Sequence, residues 1–233
     1  MRAYCITLKG DHTSEQGFNR CWTSARNLEC DFDFYIERFD ATVAKNAHKE
    51  LMQWDLMWNY PWEGKVTDIA TGLIKSAYST AIKERRIACA ISHFRLWTKC
   101  FEIKEPILVL EHDAEFIKKL DYQYILNSKY QVVGINNPLG STRRSRQYYD
   151  IIQKNKNPIQ EIPTIDEWNI PQGLAGNSAY IIKPEGAEKL ISNAFSYGLW
   201  PNDALMCKQL VDNMGVTKTF YTKVQGLQST TTQ

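Results

Sequence analysis

Four consecutive apolar residues, Ile107-Leu108-Val109-Leu110, follow Pro106 and end abruptly in Glu111-His112-Asp113. A run of that length without polar alternation reads as a short strand buried on both faces, the interior strand of an α/β sheet. In such sheets ligands sit outside the carboxyl ends of the strands, which is where the two carboxylates fall. Residues i and i+2 of an extended segment point the same way. Glu111 and Asp113 therefore converge and can hold one hard divalent cation, the kind of ion that neutralises a diphosphate. His112 is either a further ligand or phosphate hydrogen-bond donor or, if the strand geometry continues and points it to the opposite face, structural, which is the favoured reading. The competing reading is a strand followed by a solvated acidic turn.

The rest of the chain supplies partners for that strand. Residues 3–8 read as a first strand, 14–27 as a helix capped by Ser14 with Phe18, Cys21, Trp22 and Ala25 on one face, and 32–36 as a second strand. Strand, helix and strand inside 40 residues make a βαβ unit with parallel pairing. A long helix over 85–101 carries a stripe of Ala90, Phe94, Trp97 and Phe101, flanked by Ile87 and Ile91. A helix over 45–58 would put Trp54 and Trp58 on one face, either as a satellite core or as a stacking surface for a sugar. Further on, 122–127 reads as a helix and 131–135 as a strand. Residues 140–146 form a basic loop and 158–171 are irregular. A glycine-punctuated turn at 173–178 leads into a strand ending near Ile182, and a helix follows to about Phe195. A last helix runs from Trp200 to about Met214, and 217–221 is a last strand.

The chain has 233 residues, enough for one domain with a sizeable core. A formal charge of +2 gives no bulk attraction to nucleic acid or membranes. No apolar run reaches the ~20 residues of a membrane span. The six cysteines include no close metal-ligand pair, and the start of the chain has no apolar leader. Reduced thiols and a cytoplasmic location are therefore expected.

Several stretches, in order, resemble glycosyltransferase family 25, the lipooligosaccharide-type and collagen-type galactosyl- or glucosyltransferases. Phe39-Asp40-Ala41 resembles the family's V-D-G, and Arg85 to His93 resembles G-E-I-G-C-A-L-S-H. Residues 107–114 resemble L-I-L-E-D-D-V. Ser178 to Ala187 resembles A-Y-L-I-S-P-K-G-A, and Pro201-Asn202-Asp203 resembles P-V-D. His112 replaces the middle acid of E-D-D but leaves both outer carboxylates. Arg85, Arg86 and Ala88 replace Gly, Glu and Gly.

The resemblance implies a GT-A-like, Rossmann-type single domain with a mixed, mostly parallel central sheet flanked by helices. Residues 1–113 would form the nucleotide-sugar half and 114–233 the acceptor half. It implies a UDP-sugar donor, a glycan or protein acceptor, and Mn²⁺ or Mg²⁺ held by Asp113 and Glu111. The backbone at Thr7 and Leu8, with Asp40, would form the nucleoside pocket. His93 is either a donor contact or a helix-packing residue, and Gly176 and Asn177 of the glycine turn are further donor contacts. An inverting transfer needs a general base. Asp203 is the first candidate, with a pKa lowered by its position at a helix start; Asp166 and Glu167 are alternatives. Two other classes stay open. One is a catalytically weak sugar- or nucleotide-binding module. The other is a nucleic-acid-binding protein using Arg143, Arg144 and Arg146.

Overall fold

Strand β1 (Arg2–Thr7) is buried along most of its length and leads into helix α1 (His12–Asn27). The computed structural model describes residues 1–28, 35–141 and 144–227. Asp11, not Ser14, caps α1: its Oδ1 accepts from the Ser14 amide at 2.8 Å. Ser14 instead accepts the Leu8 amide on its hydroxyl at 2.9 Å, which ties the end of β1 to the helix. Trp22 is 38% exposed and so leaves the buried face of α1.

Strand β2 (Ile36–Asp40) follows and ends four residues beyond the expected Ile36; residues 32–34 of the expected strand lie outside the described residues. Helix α2 (Ala47–Gln53) is shorter than expected and stops before Trp54. Strands β3 (Lys65–Thr67) and β4 (Ile74–Ser76) form a separate hairpin. Trp54, Trp58 and Trp62 pack against the main core, Trp54 edge-on to Phe94 and Trp58 stacked on Trp62. Helix α3 (Lys83–Ile103) buries Ala90, Phe94 and Trp97, but Phe101 is 44% exposed.

The chain continues through β5 (Ile107–Glu111), β6 (Ala114–Phe116), α4 (Gln123–Leu126) and β7 (Val132–Gly134). Helix α5 (Ser145–Lys154) takes in only the last two residues of the expected basic loop and runs on through residues given no expectation, and strand β8 (Ile159–Glu161) lies in the segment expected to be irregular. Then come β9 (Ala179–Ile182), α6 (Pro184–Tyr197), α7 (Asn202–Leu205), β10 (Met214–Thr217) and β11 (Thr222–Val224). The expected last helix is thus a single turn. The Lys208 amide goes to the Gln172 carbonyl and Cys207 bridges Gly173, so part of the backbone after α7 bonds to a neighbouring segment instead of continuing the helix.

Seven strands form the central sheet in the order β2-β1-β5-β9-β7-β10-β8. All but β9 and β8 run in the same direction, so the expected mixed, mostly parallel α/β sheet is observed. Burial of β5 is two-sided. Ile107 and Val109 join the core beneath α3 and α6, while Leu108 and Leu110 join the one containing Cys21 and Ala25 of α1. The five described cysteines are free; Cys30 lies outside the described residues. Among the described residues no helix is long and apolar enough to cross a membrane.

Candidate active site

The β2 and β5 strands flank β1 on opposite sides, so the chain reverses direction across the sheet beside β1. Such a switch point opens a crevice at the carboxyl ends of the parallel strands. A cleft of about 800 Å³ lies there and is lined by Leu8, Glu111, His112 and Asp113 among others. Because β9 runs antiparallel to β5, its start meets the end of β5, and the Glu111 amide bonds the Ser178 carbonyl at 2.8 Å. That pairing brings Gly176, Asn177 and Ser178 to the same cleft. Gly176 has φ +84°, a left-handed conformation that favours glycine, and a Cβ there would lie 2.9 Å from Asn136 Nδ2.

Helix α3 contributes the opposite wall. Arg85, Arg86, Cys89, Ser92 and His93 repeat at helical spacing and line the cleft, while the apolar stripe of the same helix faces the core. His93 is fully buried between Tyr180 and Glu111: Nδ1 is 2.9 Å from the Tyr180 hydroxyl and Nε2 is 3.1 Å from Glu111 Oε1. Trp97 Nε1, which can only donate, bonds the same hydroxyl at 2.9 Å. The assignment that uses every proton runs in one direction. Trp97 donates to Tyr180, Tyr180 donates to His93 Nδ1, and His93 Nε2–H donates to Glu111. This relay fixes the carboxylate, so His93 acts on Glu111 as well as bordering the cleft. Replacing it with leucine strips a partner from both Tyr180 and Glu111. A loss of about 1–3 kcal/mol is expected, read as a lower urea midpoint at unchanged slope. An unchanged midpoint would show that the relay does not stabilise the fold.

The carboxylates differ in their electrostatics. Burial alone pushes Glu111 up, but the His93 hydrogen bond and nearby basic groups including Arg86 outweigh it and hold the carboxylate low. Asp113 is pushed up to about 7, first by burial and then by the charge of Glu111. Its Oδ1 is buried without a hydrogen-bond partner. His112 lines the cleft too, contrary to the alternation expected from an extended segment, because the chain turns at 112–113. Burial lowers its pKa.

Asp203 reaches the cleft from α7. Gly173 permits this placement, since a Cβ there would stand 2.5 Å from the Asp203 carbonyl oxygen. Burial raises the Asp203 pKa; Arg86 opposes the rise and Glu111 adds to it. The helix of only four residues gives no dipole strong enough to reverse that, so the expected lowering is not observed. Asp203 Oδ1 is also buried without a partner, as are both amide atoms of Asn177 and the Ser178 hydroxyl.

The structure therefore brings Leu8, His93, Glu111, Asp113, Gly176, Asn177 and Asp203 together. Thr7 lies behind the cleft, wholly buried, with its hydroxyl on the Cys5 carbonyl. Asp40 is an exposed strand-end residue beside Arg38, and Ala41 and Thr42 line the cleft in its place. Asp166 is not in this cleft; it pairs with Arg144 and borders a second cavity. Arg146 pairs with Asp150, so both described arginines of the basic loop are engaged in ion pairs.

A bound ion can be tested against two donor sets. Cys89, His93 and Glu111 offer atoms within 4.8 Å of one another. The His93 nitrogen of that set is already bonded to Glu111, and burial raises the Cys89 thiol, which disfavours thiolate. Glu111 and Asp113 offer hard oxygens, one of them unpartnered, and suit Mg²⁺ or Mn²⁺ better.

The sequence model of glycosyltransferase family 25 (LPS biosynthesis protein) matches residues 4–206. The chain belongs to glycosyltransferase family 25, and its family activity is glycosyl transfer. No curated protein matches it. Two solved structures are similar at low identity. A197 from STIV is 11% identical over 92% of this chain and 80% of that one, with a TM-score of 0.39. Mouse xyloside xylosyltransferase 1 is 12% identical over 90% and 79%, with a TM-score of 0.38. At these scores neither likeness bears on the site.

Proposed function

We propose that this protein transfers a hexose from a UDP-sugar to a hydroxyl of a glycan or protein, with inversion, in one cytoplasmic GT-A-type unit. The observation that carries the reading is a concentration of buried polar atoms without partners, on Asp113, Asn177, Ser178 and Asp203, around a single cleft. Buried groups of this kind are costly unless something satisfies them, and a polyhydroxylated, charged donor supplies the matching partners. Glu111 and Asp113 would hold Mn²⁺ or Mg²⁺, which when bound supplies Lewis-acid neutralisation of the leaving diphosphate.

In this proposal the remaining work falls to the chain itself. Asn177 and Ser178 orient the sugar. Arg86, whose charge reaches Asp203 and Glu111, offsets negative charge in the cleft. The acceptor oxygen bonds to the anomeric carbon as the bond from that carbon to the diphosphate oxygen breaks. The electron pair leaves with UDP, and the acceptor proton passes to Asp203. Residues 1–113 supply most of the donor wall, while Asn177, Ser178 and Asp203 are contributed by the later half.

The test is release of free UDP from a panel of UDP-sugars, with and without Mn²⁺. One sugar should turn over only with the ion. Binding of UDP without turnover of any sugar would favour a sugar- or nucleotide-binding module instead. Absence of UDP binding would overturn the reading.

A further inference from the structure

Asp203 and Leu174 line two cavities. Beside the large cleft lies a second of about 380 Å³, walled by Tyr78, Tyr148, Ile165, Pro171 and the ion pair of Arg144 with Asp166. Its size is at the small end of ligand pockets, about 300–1,000 Å³, and suits a ring or two rather than a polymer buried whole. The wall is preformed. Gln172, 3% exposed, accepts the amides of Ile165 and Asp166 and donates to the carbonyls of Glu167 and Ile170.

One side chain in this wall points to an occupant. Tyr148 is 2% exposed, and its hydroxyl meets no acceptor in hydrogen-bonding geometry. The Ala175 backbone N–H acts on the phenol oxygen as a hydrogen-bond donor, but a donor leaves the Tyr148 proton without an acceptor. A ligand oxygen would provide one. The second orphan, Asp203 Oδ1, stands in the wall common to both cavities.

We propose that this second cavity is the acceptor site and that it takes a neutral hexoside. The inference rests on the transfer reading above and extends it to the acceptor. Aromatic and aliphatic walls match the C–H faces of a pyranose, and the Tyr148 proton matches a ring or hydroxyl oxygen. Another hydroxyl of the same ring then reaches Asp203, across which the donor lies. Charge sets the class. Arg144 is committed to Asp166 and to the Ile165 carbonyl, and no other cation lines the cavity among the described residues. With Asp203 ionised the cavity is negative, which disfavours uronic, sialylated or phosphorylated rings.

The test uses saturation-transfer NMR with UDP and Mn²⁺ present. The probes are p-nitrophenyl glucoside, galactoside and mannoside, with p-nitrophenyl glucuronide as the charged counterpart. At least one neutral glycoside should give signals with the native protein, and the glucuronide should bind more weakly. Ile165→Trp, which fills the cavity from a partly buried position, should remove them. Tyr148→Phe should weaken affinity about 3- to 10-fold without lowering the melting temperature, because the hydroxyl it removes has no acceptor in the protein. Signals unchanged in both variants, no binding of any neutral glycoside, or preference for the glucuronide would overturn the proposal. Calorimetry with UDP and Mn²⁺ on the same proteins separates the two readings. Intact UDP binding with signals indifferent to the variants refutes this cavity alone, whereas a native protein that binds no UDP refutes the transfer reading.

Discussion

Transfer by the Asp203→Asn protein is expected to fall by about 10²–10⁴-fold, the usual worth of a positioned general base, while UDP affinity stays within a few-fold. Asparagine keeps the size of the side chain and removes its basicity. The proposed metal ligands, Glu111 and Asp113, belong to β5 and the turn after it, whereas Asp203 belongs to α7. Single-turnover transfer to a responsive acceptor, measured beside UDP affinity, makes the comparison. Because burial raises the Asp203 pKa, the native rate should climb with pH through a midpoint above the usual carboxylate range. A midpoint at or below the ordinary aspartate value of 3.8 would contradict that environment. Transfer near the native rate would remove the base role from Asp203. Asp166 would be a poor replacement, since its carboxylate is held by Arg144 and lies outside the donor cleft. Parallel loss of UDP-sugar affinity and rate would mark Asp203 as a sugar-hydroxyl contact.

Asp113→Ala is expected to abolish Mn²⁺-dependent UDP binding while leaving the fold intact, and Glu111→Ala to weaken it less. Calorimetry with UDP and Mn²⁺ reads both, and unchanged affinity in Asp113→Ala would remove this residue from the metal site. The same side chain predicts a pH effect in the metal-free protein. Its folded pKa, about 7, lies above the ordinary 3.8, so the fold favours the protonated carboxyl. Stability from this group is therefore fully present below about 3.8 and is lost as pH rises to about 7. The loss is of order a few kcal/mol at most. Melting in chelator should show a lower midpoint at pH 8 than at pH 5, and Asp113→Asn should shrink the difference. Added Mn²⁺ should raise the native midpoint at pH 8 by mass action and fail to do so in Asp113→Ala.

Both carboxylates were legible in the sequence because a doubly buried strand has no polar residues, so its end is marked by the first acid. The alternation argument stopped one residue too late. It assumed extended backbone through Asp113, and the turn at 112–113 puts His112 in the cleft as well. On α3 the apolar stripe was readable, but the helix has two working faces. Arg85, Arg86, Cys89 and Ser92 lie at helical spacing with His93 and would ordinarily be taken for a solvated side. Strand β2 runs on past its expected end at Ile36 because its observed residues, Ile-Glu-Arg-Phe-Asp, are those of a polar edge strand with little apolar signal. Helix α5 was missed for a similar reason. Its buried positions, Ser145, Tyr148 and Ile152, are three in a polar segment that follows a basic loop. With it went the second cavity. The premature end of α7 could not be read locally, because the competing partners of its backbone, Gln172 and Gly173, lie about 30 residues earlier in the chain.

The relay from Trp97 to Glu111 also makes the protein its own detector. The Trp97 indole is wholly buried, and three hydrogen bonds in series join its N–H to the carboxylate that borders the cleft. Hydrogen bonds in a chain polarise one another, so a change of charge at Glu111 alters the electron density at an indole proton that never meets solvent. The nuclear magnetic resonance of that proton, assigned by comparison with Trp97→Phe, should move when an ion engages Glu111 and stay still when one does not. Occupancy in the cleft can then be followed from inside the core, without a label, a substrate or a turnover.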